Sequence, residues 1–221
     1  METYLVTGAN RGIGLEYCRQ LQQRGDTVIG VCRSPSDDLK QLEVQVESGV
    51  DITDDASVAD LRQRLQGMPL DVLINNAGIL DRVTLEDLDF DSIRKQFEVN
   101  ALGPLRLTHA LLPNLKEGAK VVMMTSRMGS IEDNTSGSSY GYRMSKVALS
   151  MAAKSLAHDL KPRGIAVAIL HPGLVQTRMT GFTQSGITPE ESVQGLLARI
   201  DQLSLENTGT FWHAKGEVLP W

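Results

Sequence analysis

Runs of four to six apolar residues alternate along this chain with stretches in which apolar residues recur every three or four positions. The first rhythm suits a strand buried on both faces, the second a helix with one buried stripe. Tyr4-Leu5-Val6-Thr7 predicts a strand that runs straight into Gly8-Ala9-Asn10-Arg11-Gly12-Ile13-Gly14. Leu15, Cys18 and Leu21 then keep helical spacing up to Gly25, and Thr27–Cys32 is a second strand. Strand, glycine turn, helix and strand within about thirty residues make a βαβ unit.

The alternation continues. A third strand is expected within Leu42–Val50, interrupted by Glu43, Gln45 and Glu47, and a helix over Asp54–Leu65. Leu70–Ile74 is a fourth strand, ending at Asn75-Asn76-Ala77-Gly78. Helices are expected around Phe90–Val99 and Leu102–Leu115, then a fifth strand at Lys120–Met124 and a sixth at Ile165–Leu170. A long helix from about Ser138 to Leu160 lies between those two strands. Glu190–Leu203 is a last helix, and Gly209–Trp212 adds an edge strand. No linker or repeat breaks the series. The pattern implies an α/β fold, a doubly wound parallel sheet covered on both faces. It reads as a single domain over 1–221, with a nucleotide half at about 1–100 and a catalytic half at about 101–221.

Composition narrows the function. Apolar residues make up 41%, enough for one packed core, and a net charge of -5 gives no basic footprint for nucleic acid. Cys18 and Cys32 form no metal-type or redox pair, and the four histidines show no ligand spacing, so no metal is expected. No signal peptide and no span of membrane length is present, which points to a soluble, cytoplasmic protein with no membrane partner.

Gly8, Gly12 and Gly14 occupy the turn between the first strand and the first helix. There they let the backbone approach a pyrophosphate, while the helix N-terminus offers free N–H groups to an anion. A tight structural turn is the plainer alternative. At the end of the second strand stands Arg33, with no acid to hold ribose hydroxyls, and Arg11 adds a second cation. Guanidinium groups pair with a 2′-phosphate where a carboxylate would repel it, which favours NADP(H). Two solvated arginines are the alternative.

A second candidate lies at Tyr140-Gly141-Tyr142-Arg143-Met144-Ser145-Lys146. On a helix Tyr142 and Lys146 share a face, and a nearby ammonium favours the phenolate. Free tyrosine, with a pKa of about 10, exchanges its proton poorly at neutral pH. The pairing suits a general acid or base, though alone it equally describes a surface pair.

Together these residues resemble the short-chain dehydrogenase/reductases along essentially the whole chain. Thr7–Gly14 matches that family's glycine motif, Asn75–Gly78 its fourth-strand motif and Tyr142-x-x-x-Lys146 its active site. Thr125–Ile131, the Tyr140–Lys146 segment and the ending Gly216–Trp221 are similar to the C-factor and sniffer-type carbonyl reductase branch. The resemblance implies a Rossmann-type sheet and NADP(H)-dependent reduction of a small-molecule carbonyl. It implies cofactor contacts at Gly8, Asn10, Arg11, Gly12, Ile13 and Gly14, and at Arg33. Further contacts are implied at Asp51 and Ile52 near adenine, at Asn76, Ala77 and Gly78, and at Tyr142 and Lys146. Pro172, Gly173, Val175 and Thr177 correspond to the segment that holds the nicotinamide carboxamide. Tyr142 is implied to protonate the carbonyl oxygen, Ser126 to hold it, Lys146 to depress the Tyr142 pKa and bind ribose, and Asn100 to complete the catalytic set. The family's serine usually stands thirteen residues before the tyrosine, here Gly129; Ser126 is the better match and Ser130 the rival.

In related enzymes the asparagine's backbone carbonyl holds a water on the relay to the lysine. Residue 104 is proline, so the Asn100 carbonyl receives no N–H from four residues on. Pro104 is therefore expected to help keep that carbonyl free; a plain helix kink or a helix start near Gly103 is the alternative. A short segment between Thr177 and Glu190 suggests an open cleft, where Arg82, Arg127 and Arg178 either meet an anionic substrate or stay solvated. The alternative function is an NADPH-binding signalling protein of the C-factor type with little turnover. A homodimer or homotetramer is inherited from relatives through the helices near Leu102–Leu115 and Ser145–Leu160.

Overall fold

Continuous apolar runs become the central strands of one parallel sheet. The computed structural model describes residues 1–221. Its strands are β1 (Thr3–Thr7), β2 (Thr27–Val31), β3 (Gln45–Glu47), β4 (Leu70–Asn75), β5 (Leu115–Met124), β6 (Ala166–His171) and β7 (Phe211–His213). Their order is β3-β2-β1-β4-β5-β6-β7, and every pairing is parallel. The strand order reverses at β1, so a crevice opens between the C-terminal ends of β1 and β4, the usual place for a ligand in such sheets.

The helices are α1 (Gly12–Gln23), α2 (Asp37–Lys40), α3 (Asp55–Arg64), α4 (Phe90–Phe97), α5 (Gly103–Leu111), α6 (Tyr140–Leu160) and α7 (Pro189–Asp201). Side chains alternate across each strand, and each face has its own core. Leu5, Leu73, Val121 and Val167 pack with Leu61 of α3, Leu107 of α5 and Leu149 of α6. Tyr4, Val6, Val72 and Val122 pack with Leu21 of α1 and Leu196 of α7 on the other face. Tyr142, Lys146, Leu149, Ala153, Ala157 and Leu160 are all buried on α6, so the tyrosine and lysine extend a stripe that already faces the sheet. No helix is long and apolar enough to cross a membrane.

Several boundaries differ from the sequence expectation. The helix expected to Leu115 stops at Leu111, where Pro113 cannot continue the hydrogen-bond ladder and Asn114 turns back to donate to the Leu65 and Met68 carbonyls. β5 starts five residues earlier than the apolar pattern shows, at Leu115, because Leu115 pairs with Leu70 across an irregular register. Lys116, Glu117 and Gly118 in that stretch are exposed and carry no hydrophobic signal. The third strand is only Gln45–Glu47, and α2 was not foreseen. Between α4 and α5 the chain makes a π-turn over Glu98–Leu102, with the Gly103 N–H donating to the Glu98 carbonyl five residues back. Pro104 follows directly. π-turns recur at functional sites.

Candidate active site

The glycine turn is shaped by backbone. Gly8 and Gly12 have φ of +67° and +55°, which disfavours a side chain at either position. Gly14 has an ordinary φ, but a Cβ there would lie 2.2 Å from the Gly8 carbonyl oxygen, so it is required for close approach. Arg11 at the α1 N-cap makes no side-chain cap, and the first turn holds no acid, which leaves that helix end open to an anion. The end of β4 is fastened beside it. Thr7 Oγ1 accepts the Asn76 and Ala77 N–H groups, both at 3.0 Å, and Asn76 Nδ2 donates to the Thr7 carbonyl at 2.9 Å. Across the turn, a Cβ on Gly12 would meet Thr177 Cγ2 at 3.5 Å, which places the Pro172–Thr177 segment against the glycine motif.

On the other side of the crevice, Tyr142 and Lys146 are buried at 7% and 5% exposure, yet both reach the cleft wall. Burial pushes the Tyr142 phenol up to about 12, opposed only by a hydrogen bond with Ser126. Burial also pulls Lys146 down to about 8. The Lys146 ammonium donates to the Met124 carbonyl at 2.8 Å and stands 5.7 Å from the centre of the Tyr142 ring. Desolvation, and not the lysine expected to lower it, dominates the phenol here. Both groups lose solvent, and each is driven toward its neutral form.

The structure puts Ser126 beside Tyr142, with its hydroxyl also accepting the Met128 N–H at 3.1 Å. Ser130 instead caps its own loop by accepting the Asp133 N–H at 3.1 Å. Gly129, at the family's usual serine position, lies against α6, where a Cβ would meet the Lys146 carbonyl carbon at 2.8 Å. The longer loop before Tyr142 ends with Ser138 and Ser139 at φ of +58° and +50°. Arg143 holds it there, donating to the Gly137, Ser138 and Met128 carbonyls.

Asn100 is fully buried in the π-turn. Its Oδ1 accepts the Ile79 N–H at 2.8 Å, and its Nδ2 donates to the Ile79 carbonyl and to Ser145 Oγ. A Cβ on Gly78 would stand 3.2 Å from Asn100 Oδ1 and 3.6 Å from Lys146 Nζ, so the fourth-strand motif, the asparagine and the lysine share one nook.

Residues 2–187 match the short chain dehydrogenase family. This chain belongs to that family. It is 45% identical, over the full length of both chains, to a 1-hydroxy-2-glutathionyl-2-methyl-3-butene dehydrogenase of Rhodococcus sp. strain AD45. It is 47% identical over 156 residues to the C-signal protein of Myxococcus xanthus, covering 69% of this chain and 93% of that one. An NADPH-bound carbonyl reductase from chicken fatty liver superposes with a TM-score of 0.90 at 32% identity, covering 100% of this chain and 99% of the other. The Sniffer carbonyl reductase of D. melanogaster superposes at 0.89 with 30% identity over the whole of both chains. The chain is therefore an oxidoreductase of the short chain dehydrogenase family.

As in a dehydrogenase of this fold, one cleft of about 1110 Å³ connects the two halves of the site. Gly8, Asn10, Arg11, Gly12 and Ile13, together with Arg33, Asp51 and Ile52, line it. Asn76–Gly78, Tyr142, Lys146, Pro172 and Thr177 line it as well, with Asn76 and Ala77 against Gly8 and Thr177 against Gly12. Gly14, Asn100, Ser126, Gly173 and Val175 are not among the residues that line it. Asp51 is held ionised below its usual range, first by hydrogen bonds from Thr53 and further by Arg33. Arg127 lies outside the cleft and is ion-paired to Asp133 and Glu217, at 2.9 and 3.2 Å; Arg178 does line the cleft.

Sequence reasoning missed several lining residues. Asp38 of α2 lines the cleft with Arg11 and Arg33, and Met179 and Phe182 of the short segment after Thr177 line it too, both exposed. Phe182 has φ of +54°, directly after Gly181. Asp38 lacked a signal because a four-residue helix shows no periodicity; Met179 and Phe182 were legible only as exposed apolar residues in a polar segment.

Proposed function

We propose that this chain is an NADP(H)-dependent oxidoreductase that reduces the carbonyl of a small aldehyde or ketone, with Tyr142 as the proton donor. The observation that carries the reading is a buried phenol at the cleft wall, near the Ser126 hydroxyl and four residues from a buried lysine. The crevice fits a dinucleotide. The contact of Gly14 with Gly8 and the uncapped α1 N-terminus leave room and N–H groups for a pyrophosphate. Arg11 and Arg33 supply positive charge at the far end. The chicken liver neighbour binds NADPH, and a Burkholderia multivorans neighbour, 28% identical with a TM-score of 0.90, binds NADP.

A bound reduced nicotinamide supplies the hydride for the carbonyl carbon. The chain's own task is the proton. With its pKa held up to about 12, Tyr142 stays protonated at neutral pH and remains a donor. Ser126, whose hydroxyl stands near the phenol, would help hold the carbonyl oxygen in line. Lys146, poised near 8, is placed to return a proton to the phenol, and the fixed Asn100 keeps Gly78 and Ile79 beside it. Exchange between groups poised this way is worth roughly 10²- to 10⁴-fold in rate. The short lid leaves the cleft accessible to varied substrates.

The test is NADPH oxidation across aldehydes, quinones, diketones and ketoacyl thioesters, with glutathionyl alcohols and NADP⁺ for the reverse direction. Tyr142→Phe should abolish turnover while NADPH still binds; retained turnover would overturn the assignment. The C-signal relative favours a second reading, an NADPH-binding signalling protein with little turnover. Silence across the panel alongside tight NADPH binding would select it.

A further inference from the structure

Two carboxamides four residues apart, Gln96 and Asn100, are fully buried on the same side of α4 and the π-turn. Both hold the extended segment that follows the fourth-strand motif. Asn100 brackets Ile79 from both sides, and Gln96 Oε1 accepts the Asp81 N–H at 3.1 Å. Both also meet the catalytic helix, at residues that are themselves four apart. Gln96 fills the space over Gly141, where a Cβ would come within 2.5 Å of its Nε2. Asn100 Nδ2 donates to Ser145 Oγ at 3.0 Å, and Ser145 donates in turn to the Tyr142 carbonyl at 2.8 Å. The two rungs therefore bracket Tyr142, one residue after Gly141 and three before Ser145. Ile79 and Asp81 line the cleft, so the same rungs join the cleft wall to the helix that carries the phenol.

We propose that Gln96 and Ser145 are positioning residues, which act through Asn100 and the Ile79–Asp81 segment to fix where the Tyr142 phenol stands relative to the cleft wall. The proposal rests on the reading of Tyr142 as the proton donor. Each partner is spent inside the brace. Asn100 uses its carboxamide oxygen and nitrogen on Ile79 and Ser145, and the Ser145 hydroxyl both donates and accepts. A buried polar group that loses its partner pulls the local structure toward another one. A shift of about 1 Å in a reacting group can cost roughly a hundredfold in rate.

The experiment uses the full chain, with NADPH and whichever carbonyl the parent reduces best. Ser145→Ala and Gln96→Leu should each lower kcat about tenfold or more, with NADPH Kd and substrate KM within about twofold. Gln96→Glu, which keeps an acceptor for the Asp81 N–H, should recover most of the Gln96→Leu loss. In an Asn100→Ala background, Ser145→Ala should have no further effect on kcat, since its route is gone. Amide hydrogen exchange in the free protein gives a readout that needs no turnover. Ile79 should exchange faster in Ser145→Ala and Asp81 faster in Gln96→Leu, while β1 amides stay unchanged. Variants whose kcat stays within twofold of an active parent would overturn the proposal alone, as would unaltered exchange at both amides. Multiplicative losses of Ser145→Ala and Asn100→Ala would also overturn it. A parent that oxidises no NADPH with any carbonyl would overturn the underlying reading, and the proposal with it.

Discussion

The two walls of the cleft are built by different means. The wall at the ends of β1 and β4 is mostly backbone: glycines at φ of +67° and +55°, N–H groups at an uncapped helix, and exposed arginines at the rim. The wall on α6 is mostly side chain, and its key groups are desolvated, with Tyr142 raised to about 12 and Lys146 lowered to about 8. The first wall presents polar groups at little electrostatic cost, because water reaches them until an anion arrives. The second holds ionisable groups out of water, which costs stability and shifts their proton affinity. On the proposed reading, binding falls to the first wall and proton chemistry to the second. Stability should therefore respond in opposite senses when each wall is mutated.

Lys146→Met should show the largest change. Turnover should fall roughly 10²-fold or more, since the buried ammonium beside the phenol is lost. The apo protein should at the same time become more stable at pH 7, by on the order of 1–3 kcal/mol, because a desolvated cation is removed. The sign follows from linkage. With a folded pKa near 8 and an unfolded value near 10.5, the unfolded chain binds more protons between those limits, so the parent gains stability as pH rises through them. The stabilisation by Lys146→Met should be full below about pH 8 and shrink toward pH 10.5, read as the Tm difference across a pH series. A variant that loses stability at pH 7 would show that the hydrogen bond to the Met124 carbonyl outweighs the desolvation cost.

Gly14→Ala tests the opposite wall. Its Cβ would sit 2.2 Å from the Gly8 oxygen, and backbone cannot swing aside as a flexible side chain can. The glycine turn should open, with a loss of about 1–3 kcal/mol in stability and tenfold or more in NADPH affinity. The environment of Tyr142, read from its phenol titration, should stay as in the parent. Calorimetry and a binding titration check the first part. A shifted phenol titration would show that the two walls are mechanically joined.

The contrast also explains what the sequence made legible. The glycine turn was readable because its demand is local: a strand, a turn with positive φ and a helix start within consecutive residues. The order of strands and helices was readable for the same reason, since burial on one or two faces sets the period. Tyr142 and Lys146 were readable as a pair on one helix face, but not the outcome of their pairing. Burial depends on the sheet beneath α6, and it turns the ammonium to the Met124 carbonyl. Gln96 and Ser145 gave no signal, because their partners lie at Asp81 and Asn100, brought near only by the fold. The early start of β5 at Leu115 was hidden likewise, since its pairing with β4 is made by backbone. The π-turn left one trace, Pro104, which bars an ordinary helical bond at that position.

The smallest expected effect, and the most discriminating, lies at the rim. Arg33 is exposed at the end of β2 and lines the cleft with Arg11, while Asp38 of α2 lines it too. An acid there works against the arginines: it would repel a 2′-phosphate and could accept from a ribose hydroxyl instead. Arg33→Ala should weaken NADPH binding about tenfold or more and leave NADH within about twofold, since a charge-assisted pair is lost for one cofactor only. Asp38→Asn should do the reverse on a smaller scale, tightening NADPH a few-fold and slightly weakening NADH. Combining the two should leave a site with little preference. Both substitutions sit in water on the backbone-built wall, so neither should move Tm by more than about 2 °C in a chain of this size. Equal losses of NADPH and NADH in Arg33→Ala would remove the rim from the recognition of the phosphate. A large fall in Tm with either would mean that this wall, too, is held by its side chains.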